Sequence, residues 1–131
     1  KAKYKKVPIT LTCAKHIANF FFLIEKEKMV SKTASRYLKK FLINSQHFEK
    51  DNIGAGLPKS AKFYRKGGWF ESKLKNGSVI KYNSDAGIVE DGNVKYIIAI
   101  LTFLKTKNHK KNFPMKKLSR EIYKFISNKN Y

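Results

Sequence analysis

Lys66, Gly67, Gly68 and Trp69 stand in a stretch, 63–70, whose flanking residues Phe63, Tyr64 and Phe70 are aromatic. Bulky rings favour a strand, whereas two adjacent glycines weaken one. The chemistry on offer is close approach: with no Cβ at Gly67 or Gly68, a ligand or a second backbone can lie against the strand, and Lys66 sets a point positive charge beside it. A bulge or tight bend carrying a solvated lysine uses the same residues without function. Other reactive groups stand alone. His47 has no histidine, cysteine or carboxylate at a metal-ligand spacing, which favours a structural or surface role. Cys13 is the single cysteine, so an internal disulfide and a cysteine-rich metal site are excluded, and it is expected as a small buried hydrophobe on a helix. The sequence holds no zinc pattern, nucleotide loop or heptad seam, and no cofactor is inferred.

The elements that must position this stretch follow from periodicity and turn chemistry. Ile17, Phe20, Phe21, Leu23 and Ile24 make a broad apolar stripe, predicting a helix over 12–28 that Thr12 can cap. Ser31 caps a second helix over 32–43, on which Ala34, Tyr37, Leu38, Phe41 and Leu42 recur at helical spacing, and Met29 and Val30 link the pair closely. Gly54, Gly56 and Pro58 mark a loop that delivers the chain into a strand at 62–70. Two turn signals, Asn76-Gly77 and Asp91-Gly92, separate further strands at 78–90 and 94–104, which makes an antiparallel meander. Continuous apolar character over 96–104 implies a strand buried from both sides, while Lys81, Asn83 and Asp85 alternate through the middle strand and imply less uniform burial. A last helix over 117–128 is capped by Ser119 and turns Ile122, Phe125 and Ile126 inward. Helices before and after a meander give a layered α/β or α+β helix–sheet domain.

Composition bounds the function. At 131 residues, 42% hydrophobic and 14% aromatic, the chain can build one folded core. Its net charge of +20 predicts attraction to anionic surfaces, including nucleic acid, acidic membrane and cell-envelope polymers. That attraction is expected to be nonspecific and salt-sensitive. Lysine carries most of the charge; Arg36, Arg65 and Arg120 are the only arginines, so the guanidinium forks used to read base edges are scarce. The longest apolar run, 96–104, is too short to span a bilayer as a helix, and no transmembrane segment is expected.

In this order the landmarks resemble a known family. Lys66-Gly67-Gly68-Trp69 stands where the class A β-lactamase-like serine hydrolases, within the penicillin-recognising enzymes, carry a Lys-Thr-Gly strand. Val30-Ser31 at the end of the helix pair, Ala55-Gly56-Leu57-Pro58, Asn83-Ser84-Asp85-Ala86-Gly87-Ile88-Val89, the strand 96–102 and Leu118-Ser119-Arg120-Glu121-Ile122-Tyr123 fall in the same order. The resemblance covers most of residues 1–131 but only the C-terminal half of a complete family domain. It implies a β-lactamase/transpeptidase-like fold, and it implies a periplasmic or extracellular location. It further implies that Lys66 attracts a substrate carboxylate, that the Trp69 backbone N–H serves an oxyanion hole, and that Gly67, Gly68, Trp69 and Phe70 line the substrate. Gly67 replaces the family's hydroxyl-bearing residue, which removes a donor to that carboxylate.

A nucleophile is the missing part. Ser72 and Lys75 have the Ser-x-x-Lys spacing only formally, next to a turn; Ser84-Asp85-Ala86 falls in a strand segment; Thr12 with Lys15 is better used as a cap. Two functions follow. One is the C-terminal part of a serine hydrolase acting on β-lactam, amide or ester substrates through an acyl-enzyme, partnered by an N-terminal half in the same protein or a second chain. The other is a noncatalytic binding or assembly protein drawn to an anionic envelope polymer or nucleic acid. On the first reading, the inner faces of the Phe20 helix and the 96–104 strand are expected to need the N-terminal elements as cover.

Overall fold

The computed structural model describes residues 12–44, 52–108 and 110–129. Strands β1 (Lys62–Lys73), β2 (Val79–Asp91) and β3 (Val94–Thr106) form an antiparallel sheet in the order β1-β2-β3. Gly77 and Gly92 close its two turns at φ of 77° and 56°, a left-handed conformation that a Cβ would resist. Helices α1 (Ala14–Glu25) and α2 (Lys32–Asn44) cover one face of the sheet. On the other face lies α3 (Met115–Ser127), with a short 3-10 turn at Gly54–Gly56 packed against it. The result is the expected helix–sheet domain.

Each face has its own core. Phe21 and Ile24 of α1 pack on Ala86 and Ile88, with Leu38, Tyr64, Ile97 and Ala99 around them. Opposite, Phe63, Val89 and Ile98 pack on Ile53 and Met115, with Ile122 of α3 closing the side. Alternation along β1 therefore puts Tyr64, Lys66, Gly68 and Phe70 on the helix-pair face, and Phe63, Arg65, Gly67 and Trp69 on the α3 face.

Several sequence expectations need correction. The strand buried on both faces is β2, where 85–89 are all buried, and not β3, whose Phe103 is 57% exposed. Composition alone does not say which strand is central; the strand order does, because only the middle strand has neighbours along both edges. β1 runs past 70 to Lys73 because the ladder with β2 continues to the pair Lys73↔Val79, tied across by Lys81 and Glu71 at 3.4 Å. Cys13 is exposed at the N-cap of α1, and no side chain, Thr12 included, caps that helix. Ser31 does cap α2, accepting the Ala34 N–H at 3.1 Å. Ser119 is no cap: α3 begins at Met115, and the buried Ser119 hydroxyl donates to the Ile53 carbonyl at 2.9 Å, fastening α3 to the 3-10 turn. His47 lies outside the described residues.

The connection from α1 to α2 is also longer than Met29 and Val30. α1 stops at Glu25 because Glu27 turns left-handed, at φ 55°, and Val30 does the same at 62°. A β-branched residue is strained there. The buried Ser35 hydroxyl holds the corner by accepting the Met29 N–H at 3.0 Å and donating to the Met29 carbonyl at 3.1 Å.

Four charges join the helix pair to the sheet. The Lys39 ammonium reaches Glu25 at 2.6 Å and Glu90 at 2.7 Å, and Lys95 reaches the same two carboxylates at 2.7 and 3.0 Å. Lys39 also lies 4.6 Å above the Tyr64 ring. Partial burial pushes the Glu90 carboxyl up, but hydrogen bonds from Lys39, Lys95 and Tyr64 outweigh it and bring the group down to about 2. Glu25 is lowered in the same way by the two lysines against the pull of burial. Because both folded-state values lie below the ordinary glutamate range, about 4.3, the cluster stabilises the fold fully above that range and stops doing so as pH falls toward 2. Thermal midpoints measured from pH 7 to pH 2 are expected to fall along an acid limb that Lys39→Met makes shallower while lowering the neutral plateau. Parallel curves for the two proteins would remove the cluster from the account.

Candidate functional site

A buried ion pair underlies the glycine strand. Arg65 and Asp85 face the α3 side of the sheet, 8% and 1% exposed, and the Arg65 Nε donates to Asp85 Oδ1 at 2.9 Å. The other Asp85 oxygen accepts the Ile53 N–H at 3.1 Å, so one carboxylate ties β1, β2 and the segment that enters the 3-10 turn. Burial pushes the Asp85 carboxyl above its usual value, with the Arg65 guanidinium and the Ile53 and Ala86 amides pulling against it. Removing one partner of such a pair strands a charge where water cannot reach it.

The pair explains one of the two glycines. Gly67 stands opposite Asp85 in the β1–β2 register, and a Cβ there would come 2.5 Å from the Arg65 Nη2 and 3.4 Å from Asp85 Oδ1. The guanidinium occupies the place a side chain would take. Gly68 differs, since no atom lies within 4 Å of a Cβ built on it. Its face is open for a ligand or backbone to approach.

Lys66 is exposed and its ammonium donates to the Gly67 carbonyl at 2.6 Å. Residues two apart in an antiparallel strand direct their backbone groups to the same side, so the Trp69 N–H shares the side of the Gly67 carbonyl on which that ammonium lies. Cation and amide thus share one side of the strand. The Trp69 ring projects to the α3 face, 74% exposed, and Phe70 lies on the Lys66 face, 57% exposed. Phe70 continues across the sheet into Tyr82, at 6.2 Å between ring centroids, and Phe103, 5.2 Å further. Sequence periodicity missed this aromatic row because its members come from three strands and meet only through register. It also missed the Arg65–Asp85 pair. A signal was present for it: one of three arginines sits two residues before a glycine in a strand otherwise built for burial.

The formal serine motifs are not assembled. Ser72 lies in β1 and Lys75 in the turn after it, Asp85 of the Ser84-Asp85-Ala86 run is consumed by Arg65, and Thr12 precedes α1 with Lys15 exposed on it. Among the described residues no group of three or more His, Cys, Asp or Glu side chains can hold a metal ion. Nor is any helix among them long and apolar enough to cross a membrane.

The sequence model of the β-lactamase enzyme family matches residues 1–126. The chain belongs to the β-lactamase enzyme family. Solved structures agree on the fold. A class A β-lactamase from Bacteroides cellulosilyticus DSM 14838 aligns with 88% of this chain at 18% identity and a TM-score of 0.68. A variant of the extended-spectrum β-lactamase TLA-1 aligns with 87% at 14% identity and a TM-score of 0.69, and PBP-A aligns with 87% at 17% identity and 0.62. This chain spans 41%, 41% and 39% of those three in turn, about two fifths of their length. Comparison with curated proteins gives no significant match.

Within this family member, Gly67 cannot be restored to a hydroxyl-bearing residue without moving Arg65. Gly67→Thr is expected to cost about 1–3 kcal/mol in chemical unfolding, the usual scale of overpacking. Asp85→Ala is expected to cost about 3–5 kcal/mol, and the double variant Arg65→Met/Asp85→Leu much less than the two single changes together. Additive losses would mean that the pair does not act as a unit.

Proposed function

We propose that this chain supplies the strand wall of a serine acyl-transfer site, as the C-terminal portion of one β-lactamase-like domain whose nucleophile comes from a region beyond these 131 residues. The observation that carries the proposal is the Lys66 ammonium held on the Gly67 carbonyl along an exposed strand, in a member of this family; that the Trp69 N–H shares that side is inferred from strand alternation. A serine hydroxyl attacks the carbonyl of a β-lactam, peptide-like amide or ester; the Oγ–C bond forms, the C–N or C–O bond breaks with the hydroxyl proton passing to the departing nitrogen or oxygen, and water later cleaves the acyl ester to release the acid and restore the serine. Oxygen charge that develops on the carbonyl is held by the Trp69 N–H together with the nucleophile's own N–H. Lys66 draws in the substrate's anionic end, and the Gly67–Phe70 segment holds the substrate along the strand. One relative, a point variant of PBP-A, is described as an acyl-enzyme complex with penicillin G, which supports this class of chemistry. A periplasmic or extracellular place accompanies the same reading.

A specific feature favours a second reading. The Arg65 guanidinium fills the side-chain space at Gly67, and the chain carries a charge of +20, so a noncatalytic β-lactamase-like protein that binds an anionic envelope polymer or nucleic acid is the alternative. Active-site labelling separates the two. The full-length protein, treated with a reactive penicillin or peptide-like ester and examined by intact mass and peptide mapping, is expected to carry one acyl group on a serine outside this chain. Lys66→Ala is expected to slow that labelling about tenfold to a hundredfold, the scale of one charge-assisted hydrogen bond, with little change in unfolding midpoint. No adduct with any of these reagents would favour the noncatalytic protein.

A further inference from the structure

The far end of the sheet carries a groove on the α3 face, beyond the reach of α3 itself. Trp69 walls one side and Phe113, from the segment leading into α3, contributes a second ring, 37% exposed. Between them the lining is mixed: Asn83 from β2, the Glu71 and Lys81 pair and Asn112 are polar, while Leu104 of β3 adds an apolar side chain beside Thr102. The volume is about 190 Å³, below the range of sites for drug-sized ligands and suited to a single ring.

The lining chemistry narrows the ligand. An exposed indole offers a flat apolar platform, and a second ring adds apolar contact; neither carries charge. The polar groups include both donors and acceptors, since two carboxamides stand beside a carboxylate and an ammonium. Lys81 is paired with Glu71 at 3.4 Å and donates to Asn112 Oδ1 at 3.3 Å, so the groove presents little net charge despite a strongly basic chain. Both contacts are long, and a ligand hydroxyl can insert at either with little loss. Among the described lining residues, the one cation, Lys81, is paired with Glu71, so a phosphate or carboxylate has no uncompensated charge to meet. A nucleobase can stack on the indole, but the phosphates attached to it gain nothing from the floor.

We propose that this groove is a sugar-binding site, taking one neutral hexose unit of a glycan with its apolar ring face on Trp69 and its hydroxyls on Asn83, Asn112 and the Lys81–Glu71 pair. The groove lies on the opposite face of β1 from Lys66 and uses the Trp69 ring, whereas the acyl-transfer reading uses the Trp69 backbone. The tryptophan itself reports binding. In the full-length protein, its signal is isolated as the fluorescence difference from the Trp69→Phe variant, and the probes are tetramers of glucose and of N-acetylglucosamine, with a galacturonate tetramer and an oligodeoxythymidylate as anionic comparisons.

A saturable change with at least one neutral tetramer, insensitive to salt, is expected. Phe113→Ala and Asn83→Ala are each expected to weaken it about fivefold to tenfold, the effect of one ring contact or hydrogen bond. Labelling by a small soluble ester is expected to be unchanged in Phe113→Ala, and sugar binding unchanged in Lys66→Ala, so either reading can fail without the other. No response to both neutral tetramers would overturn the proposal. So would a response confined to the anionic probes and abolished by salt, or neutral binding that survives both groove substitutions.

Discussion

The ion pair between Arg65 and Asp85 is the constraint around which the sheet is organised. Both charges lie out of water beneath the strand that carries Lys66, and each is compensated by the other and, for Asp85, by the Ile53 amide. Burial of this kind gives little net stability compared with an apolar replacement, yet it tolerates few geometries. Here the geometry that satisfies it sets where the 3-10 turn meets the sheet and puts the guanidinium in the space a side chain at 67 would take. A side chain at that position would displace the guanidinium, which ties the local chemistry of the strand to the core below it.

Coverage of the two faces follows from how far the helices reach. α1 and α2 lie over the Tyr64, Ile88 and Ile97 end, held there by the Lys39, Glu25, Glu90 and Lys95 cluster as well as by Phe21 and Ile24. Lys66, Gly68 and the Phe70–Tyr82–Phe103 row continue the same face toward the open end. On the reverse face α3 covers the Phe63, Val89 and Ile98 end and leaves the Trp69 groove. Within the described residues the long strands thus divide into a packed half and an exposed half. Two of the three arginines are committed within the fold: Arg65 is buried, and Arg36 is bidentate with Glu27 at 2.6 and 3.1 Å.

Much of the architecture was legible in the residues. The two turn dipeptides located the meander, and the apolar stripes of α1, α2 and α3 located the helices, because period and turn chemistry are local properties. Ser31 was legible as a cap for the same reason. What failed was whatever depends on neighbours distant in sequence. The apolar run of β3 looked more deeply buried than β2, but strand order decides that. Ser119 had the residue type of a cap and proved to be a buried link to Ile53, 66 positions away. At the site, Lys66 and the glycines stood out by type and spacing, whereas Arg65, Asp85 and the cross-strand aromatics acquire meaning only through register.

The claim that the buried pair positions the Gly67–Trp69 backbone is tested most directly by native-state amide hydrogen exchange in the full-length protein and its Asp85→Asn variant. Loss of the carboxylate's charge is expected to speed exchange most at Ile53 and at 65–70, while the amides of α1 and α2, held by the separate Lys39 cluster, keep their protection. Equal acceleration throughout the domain, or unchanged exchange at 65–70, would contradict the account.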